Sequence, residues 1–239
     1  MARSARSLTG AAQLLALLYA VTLLVLVTLL AVLVVSSPVV VSSLTRMTQP
    51  SYILPEEGSM LERSIEVAAL TADFVRLGNQ EAEMIELYRQ DEAAGLESIG
   101  HLLDVRDVFI TVWYVAGLSA VLVVIGAASA HFLRAEEWMR LALRVAAVLC
   151  RSVPVVLGLI VALAFGPLFT FFHRVFFPQG NWQFPSDSYL IQTFPEPFWI
   201  SATALILVLV ALGGVSLYGV SRLASPLASR RLPAPSDAC

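Results

Sequence analysis

Val108–Ala130 reads VFITVWYVAGLSAVLVVIGAASA, a run without a single formal charge. A helix needs about 20 consecutive apolar residues to cross the hydrocarbon of a bilayer, and this stretch meets that length. Working outward, three more segments share the property: Leu14–Val35, Val153–Phe172 and Phe198–Val220. Each segment between them carries clustered charges or prolines. The pattern predicts an all-α integral membrane protein with four transmembrane helices. The first span is longer than the roughly 7–15 residues of a signal-peptide core, and no A-x-A-like site follows it. It is therefore expected to remain a membrane helix.

Composition agrees. Of 239 residues 58% are apolar and only 14% charged, with a mean hydropathy of +0.79. That charged share is about half of what a soluble domain carries. A disordered chain, a soluble enzyme and a basic nucleic-acid binder are all excluded. All 15 basic residues are Arg, so Schiff-base and P-loop lysine chemistry is ruled out. Cys150 and Cys239 stand far apart in unlike settings and build no disulfide framework.

Arginine placement sets the orientation. Arg3 and Arg6 precede the first span, Arg134, Arg140, Arg144 and Arg151 separate the second from the third, and Arg222, Arg230 and Arg231 follow the fourth. The loop between the third and fourth spans holds only Arg174. Both termini are therefore expected in the cytoplasm, with residues 36–107 and 173–197 outside. Residues 36–107 carry five arginines against thirteen acids, but a loop of that length reports topology poorly. Within it Met60–Leu77, Glu81–Arg89 and Leu96–Asp107 show helical spacing, broken at Gly78–Asn79 and Gly95. A small helical cap on the extracytoplasmic face is expected, the whole chain forming one membrane domain.

Three histidines are sorted by this topology. His131 falls at the cytoplasmic end of the second span and reads as structural. His101 precedes that span and His173 follows the third, so both belong to the outer surface. Two imidazoles at one surface can serve as base and acid in a transfer reaction. His101 lies in Glu97-Ser-Ile-Gly-His101-Leu-Leu-Asp104, where helical spacing puts Glu97 and Asp104 on its face. Such carboxylates can fix an imidazole's tautomer, or can be plain surface charges on a cap helix. His173 opens an aromatic segment: residues 165–199 hold twelve of the chain's twenty-two aromatics together with five prolines. Phe172, Phe176, Phe177, Trp182, Phe184, Phe194 and Trp199 read as walls of an apolar pocket for lipid tails. The other reading is an interfacial aromatic belt. Arg174, Asp187 and Glu196 are the charges available there for polar contacts. No H-E-x-x-H spacing supports a metal site and no G-x-S-x-G an elbow serine. Neither a metal nor a cofactor is expected.

Two blocks carry a family resemblance. One is Glu97-x-x-x-His101-Leu-x-Asp104-Val. The other runs Phe172-His173-x-x-Phe176-Phe177-x-x-Gly180-x-Trp182-x-Phe184, then Asp187 and Leu190-Ile191, and ends Phe194-Pro195-Glu196-x-Phe198-Trp199. On these the chain resembles the bacterial lipoprotein intramolecular transacylases, and the four-span architecture with an outer cap fits as well. The resemblance implies an acyltransferase that moves the sn-2 acyl chain of a diacylglyceryl lipoprotein to the α-amino group of its N-terminal cysteine. It implies His101 and His173 as the catalytic pair, and membrane lipids and diacylated lipoproteins as partners. Which histidine is base and which is acid stays open, as does oligomeric state. The alternatives are a related membrane lipid deacylase and a non-enzymatic envelope protein.

Overall fold

The computed structural model describes residues 9–48, 58–133 and 136–223, and the described residues form helices and connecting turns with no strand. In chain order the helices are α1 (Gly10–Val35), α2 (Pro38–Thr48), α3 (Gly58–Leu77), α4 (Glu81–Arg89), α5 (Gly95–Phe132), α6 (Glu136–Phe176), α7 (Tyr189–Thr193) and α8 (Glu196–Leu223). Four of them, α1, α5, α6 and α8, are long and apolar enough to cross a membrane.

α5 and α6 are longer than a bilayer requires. The 38 residues of α5 extend about 57 Å, against a hydrocarbon core of about 30 Å. Its first turns carry Glu97, Asp104, Arg106 and Asp107, and its charge-free stretch begins only at Val108. One continuous helix therefore rises from the membrane part into the cap and carries His101 with it. α6 runs on through His173 to Phe176. His173 thus sits on a helical turn, although the sequence pattern put the outer loop's start there. Ala164 breaks the helical backbone of α6 with φ −150° and ψ 44°, three residues before Pro167. Proline has no N–H to donate and crowds the preceding turn, which accounts for a kink here.

Within the membrane part the helices meet through small residues. Ala16, Tyr19, Ala20 and Leu23 of α1 pack on Trp138, Ala142, Leu143 and Ala146 of α6. The Tyr19 ring meets Trp138 edge-on at 5.5 Å, and its hydroxyl donates to the Val123 carbonyl at 2.8 Å. Gly126 of α5 leaves the room this ring occupies, since a Cβ there would overlap it. Close approach through Gly and Ala compensates for the weak hydrophobic drive between helices in lipid. Leu14, Leu18, Val124, Leu159 and Leu163 stay exposed on the outside of the bundle, as a lipid-facing surface requires.

The cap has its own core. Val67, Ala68, Ala72 and Phe74 of α3, Met84 and Tyr88 of α4, and Leu102 of α5 close on Leu190, Phe194 and Phe198. α2 belongs to this layer through Val41 and Leu44. The Tyr88 hydroxyl is buried against Thr71 Oγ1 at 3.0 Å. Asp91 fastens the turn after α4 to α7: its carboxylate accepts from the Ala93 N–H and the Tyr189 N–H, both at 3.0 Å. By contrast the Arg106–Glu81 ion pair, 2.9 Å apart, is solvent-exposed and adds little stability.

Candidate active site

His101 from α5 and His173 from the last turns of α6 come together against the loop that joins α6 to α7. Their rings stack with centroids 6.2 Å apart and an interplanar angle of 25°. Both are buried, each with 7% of its surface exposed. The packing around them is aromatic on nearly every side. Phe177 and Phe184 lie 4.7 and 5.5 Å from His101. Phe169, Trp182 and Phe172 lie 4.0, 5.0 and 5.3 Å from His173.

The hydrogen bonds distinguish the two rings. His173 Nδ1 is 2.8 Å from the Phe169 carbonyl oxygen, one turn back along α6. A carbonyl only accepts, so Nδ1 carries the proton and Nε2 holds the lone pair. His101 Nδ1 is buried and has no hydrogen-bond partner. Burial pushes His101 down to about 4, helped by the neighbouring His173 and partly opposed by the Asp104 carboxylate. His101 is therefore a neutral imidazole at neutral pH.

This has a measurable consequence for stability. Below pH 6.5 the unfolded chain protonates His101 while the folded chain does not until about pH 4. The unfolded state then binds more protons, so stability falls with falling pH in that window, by about 3 kcal/mol across it. Thermal unfolding of detergent-solubilised protein is expected to show this loss between pH 6.5 and 4. His101→Gln is expected to flatten it. An unchanged pH slope in that variant would assign the titration to another group.

The two carboxylates read beside His101 do not behave alike. Glu97 is exposed, and among the described residues it makes no hydrogen bond or ion pair. Asp104 makes no hydrogen bond to the imidazole; its carboxylate is taken up by two amide donors. Its Oδ2 accepts from Gln179 Nε2 at 2.8 Å and from Asn181 Nδ2 at 2.5 Å. It thus clamps the outer loop to α5, and acts on His101 only through its charge.

The aromatic segment also divides. Phe177, Trp182, Phe184 and Phe172 meet the histidines directly. Phe176 stacks on Phe172 at 4.7 Å, and both remain nearly half exposed, on the rim of the chamber. Phe194 is buried in the cap core against Phe198. Trp199 reaches the chamber only through Phe169, 6.1 Å away, and its indole N–H donates to the Phe194 carbonyl. Arg174, Asp187 and Glu196 are all exposed. His131 lies on α5 about 45 Å from His101 along the helix. Among the described residues no group of three or more His, Cys, Asp or Glu is gathered as a metal site would need.

Three residues at the chamber escaped the sequence reading. Phe169 was legible in principle, because it stands one helical turn before His173 on the same face. Gln179 and Asn181 gave no signal, since nothing in one sequence pairs a loop amide with a carboxylate on a distant helix.

The family model of lipoprotein intramolecular transacylase Lit matches residues 14–199, which includes both histidines and the chamber around them. The chain belongs to the Lit family. It is thus a membrane enzyme of the lipoprotein-modifying transacylases. Its fold is similar to the in meso structure of the membrane integral lipoprotein intramolecular transacylase Lit from Bacillus cereus. The TM-score is 0.63 at 20% identity, over 90% of this chain and 95% of that one. A histidine-to-alanine variant of the same Bacillus cereus protein is similar at a TM-score of 0.56 and 18% identity, over 89% and 93% of the two chains. No curated protein matches.

Proposed function

We propose that this Lit-family enzyme transfers the sn-2 acyl chain of a diacylglyceryl lipoprotein to the α-amino group of that lipoprotein's N-terminal cysteine. His101 and His173 act together in the step. The observation that supports this most is the pairing of two buried imidazoles, 6.2 Å apart, inside an aromatic chamber. The arginine distribution supports a cytoplasmic location for both termini and an extracytoplasmic one for the cap and chamber.

The chemistry follows from the tautomers. An N-terminal ammonium has a pKa near 8 and must lose a proton before its nitrogen can attack an ester. His173 Nε2 holds the free lone pair and serves as general base. As the amine nitrogen bonds to the acyl carbon, negative charge develops on the carbonyl oxygen. Neutral His101 stabilises it by donating a ring N–H, in an apolar chamber where such a bond is strong. The first ammonium proton is released to solvent. His173 takes a second proton from the nitrogen as the tetrahedral species forms and returns it to the glycerol oxygen as the bond to that oxygen breaks. An amide and a free hydroxyl result, within one substrate molecule. Holding the amine and ester in reactive contact supplies much of the rate, because effective molarities for such positioning reach about 10⁵–10⁸ M.

The test is to supply purified enzyme in lipid nanodiscs with a synthetic diacylglyceryl-cysteinyl peptide and analyse the product by mass spectrometry. The expected product has unchanged mass, with one acyl chain moved to nitrogen. Release of free fatty acid with no amide would overturn the transfer and make the enzyme a deacylase.

A further inference from the structure

Asn181 is held in one orientation. Its Nδ2 donates to Asp104 Oδ2 at 2.5 Å, and since a carboxylate only accepts, the amide cannot be flipped. The side-chain oxygen is thereby turned to the opposite side. That Oδ1 is buried and has no hydrogen-bond partner. A buried acceptor without a donor is costly, so this position calls for an N–H or O–H from outside the chain. The residue itself is tied to the neighbourhood of both histidines. Asp104 stands one helical turn beyond His101 on α5, and Trp182, the residue next to Asn181, lies 5.0 Å from the His173 ring. The charge on Asp104 also strengthens the amide oxygen as an acceptor, because an N–H donated to a carboxylate pushes electron density toward the carbonyl.

Resting on the amine-acylating reading of the site given above, we propose that the Asn181 side-chain oxygen docks the primary amine of the substrate, with Asp104 holding the amide in place. A primary amine or ammonium brings two or three N–H donors. One satisfies Asn181 Oδ1 while another points to His173 Nε2. Asn181 thus positions the nucleophile, and takes no proton itself.

The experiment uses dialkyl ether analogues of the diacylglyceryl-cysteinyl peptide, which have no ester to react. One has a free amino terminus and its twin is N-acetylated. Each displaces a fluorescent ether lipopeptide from the full-length enzyme in nanodiscs. One well-made hydrogen bond to a charged donor corresponds to about a tenfold preference for the free amine in the wild-type enzyme. Asn181→Ala is expected to bring the ratio to about one. Gln179→Ala removes the neighbouring bond to the same carboxylate and is expected to keep the preference. Asn181→Ser retains an O–H for Asp104 and withdraws the carbonyl; it is expected to lose the preference too, and replaces the alanine variant should that one fail to fold. A wild-type ratio near one overturns the proposal. So does a ratio still near ten in the Asn181 variants, including a case where both affinities fall together. Conversion of the ester peptide by the wild type is read separately: amide product without amine preference sinks this proposal alone, and no amide product sinks the acyl-transfer reading beneath it.

Discussion

His173→Ala is expected to slow amide formation by about 10²–10⁴-fold, the usual worth of a positioned general base. The side chain that is lost is the one whose Nδ1 proton is committed to the Phe169 carbonyl, leaving Nε2 free to accept. The chain has no lysine to take its place, Glu97, Asp187 and Glu196 are exposed, and the Asp104 carboxylate is taken up by Gln179 and Asn181. In the proposed mechanism His101→Ala removes the donor to the developing oxyanion, and it is expected to cost a similar amount, about 10²–10³-fold. If both act on one transition state, as proposed, the double variant is expected to be little slower than the worse single one. His131→Ala serves as the control, being exposed at the far end of α5. Single-turnover conversion of a diacylglyceryl peptide, followed by mass spectrometry, reads all four. A His173→Ala rate within about threefold of wild type would take its imidazole out of the proton transfer.

The four apolar helices were legible because one rule dominates in a bilayer: every backbone polar group must be satisfied within its own helix, so length and hydropathy suffice. The cap helices were legible for a different reason. Their apolar spacing matches 3.6 residues per turn, and Gly78 and Gly95 interrupt it where α3 ends and α5 begins. The meeting of His101 and His173 followed from topology, since two spans ending on one surface bring their flanking residues near each other. What topology cannot supply is the direction of a side chain. The i, i+3 spacing put Asp104 on the imidazole's face, but spacing could not show that its carboxylate bonds to Gln179 and Asn181, whose positions depend on the path of an irregular loop. The same limit applies to the aromatics. Composition alone cannot separate Phe177, which touches His101, from Phe194, which fills the cap core. α2 is only eleven residues long, and its amphipathic pattern behind Pro38 is easily overlooked beside the long apolar span it follows.

Gly95→Ala is expected to be the most damaging single methyl addition outside the chamber. Gly95 opens α5 where α4 has just ended, and the two backbones meet there. A Cβ on Gly95 would overlap the Tyr88 carbonyl oxygen, with the Tyr88 carbonyl carbon at 3.3 Å and Arg89 Cα at 3.5 Å. These are main-chain atoms of a helix whose Tyr88 is wholly buried and bonded to Thr71, so they have little freedom to retreat. Relief must come from shifting α5 relative to α4. That shift strains the Gly95 N–H bond to the Asp91 carbonyl, 3.0 Å, and the Asp91 carboxylate's hold on Tyr189. Overpacking of this kind costs about 1–3 kcal/mol, or roughly 2–12 °C in melting temperature for a chain of this size. Activity is expected to fall as well, because His101 rides on the same rigid helix less than two turns away. Gly100→Ala supplies the contrast. It lies on α5 beside His101, but a Cβ there meets nothing within 4 Å, so the helix preference of Ala over Gly is expected to raise stability by about 0.5–1 kcal/mol. Thermal unfolding of the two variants in the same detergent decides the matter. If Gly95→Ala melts at or above Gly100→Ala, the α4–α5 junction is not the tight hinge that fixes the height of His101 in the cap.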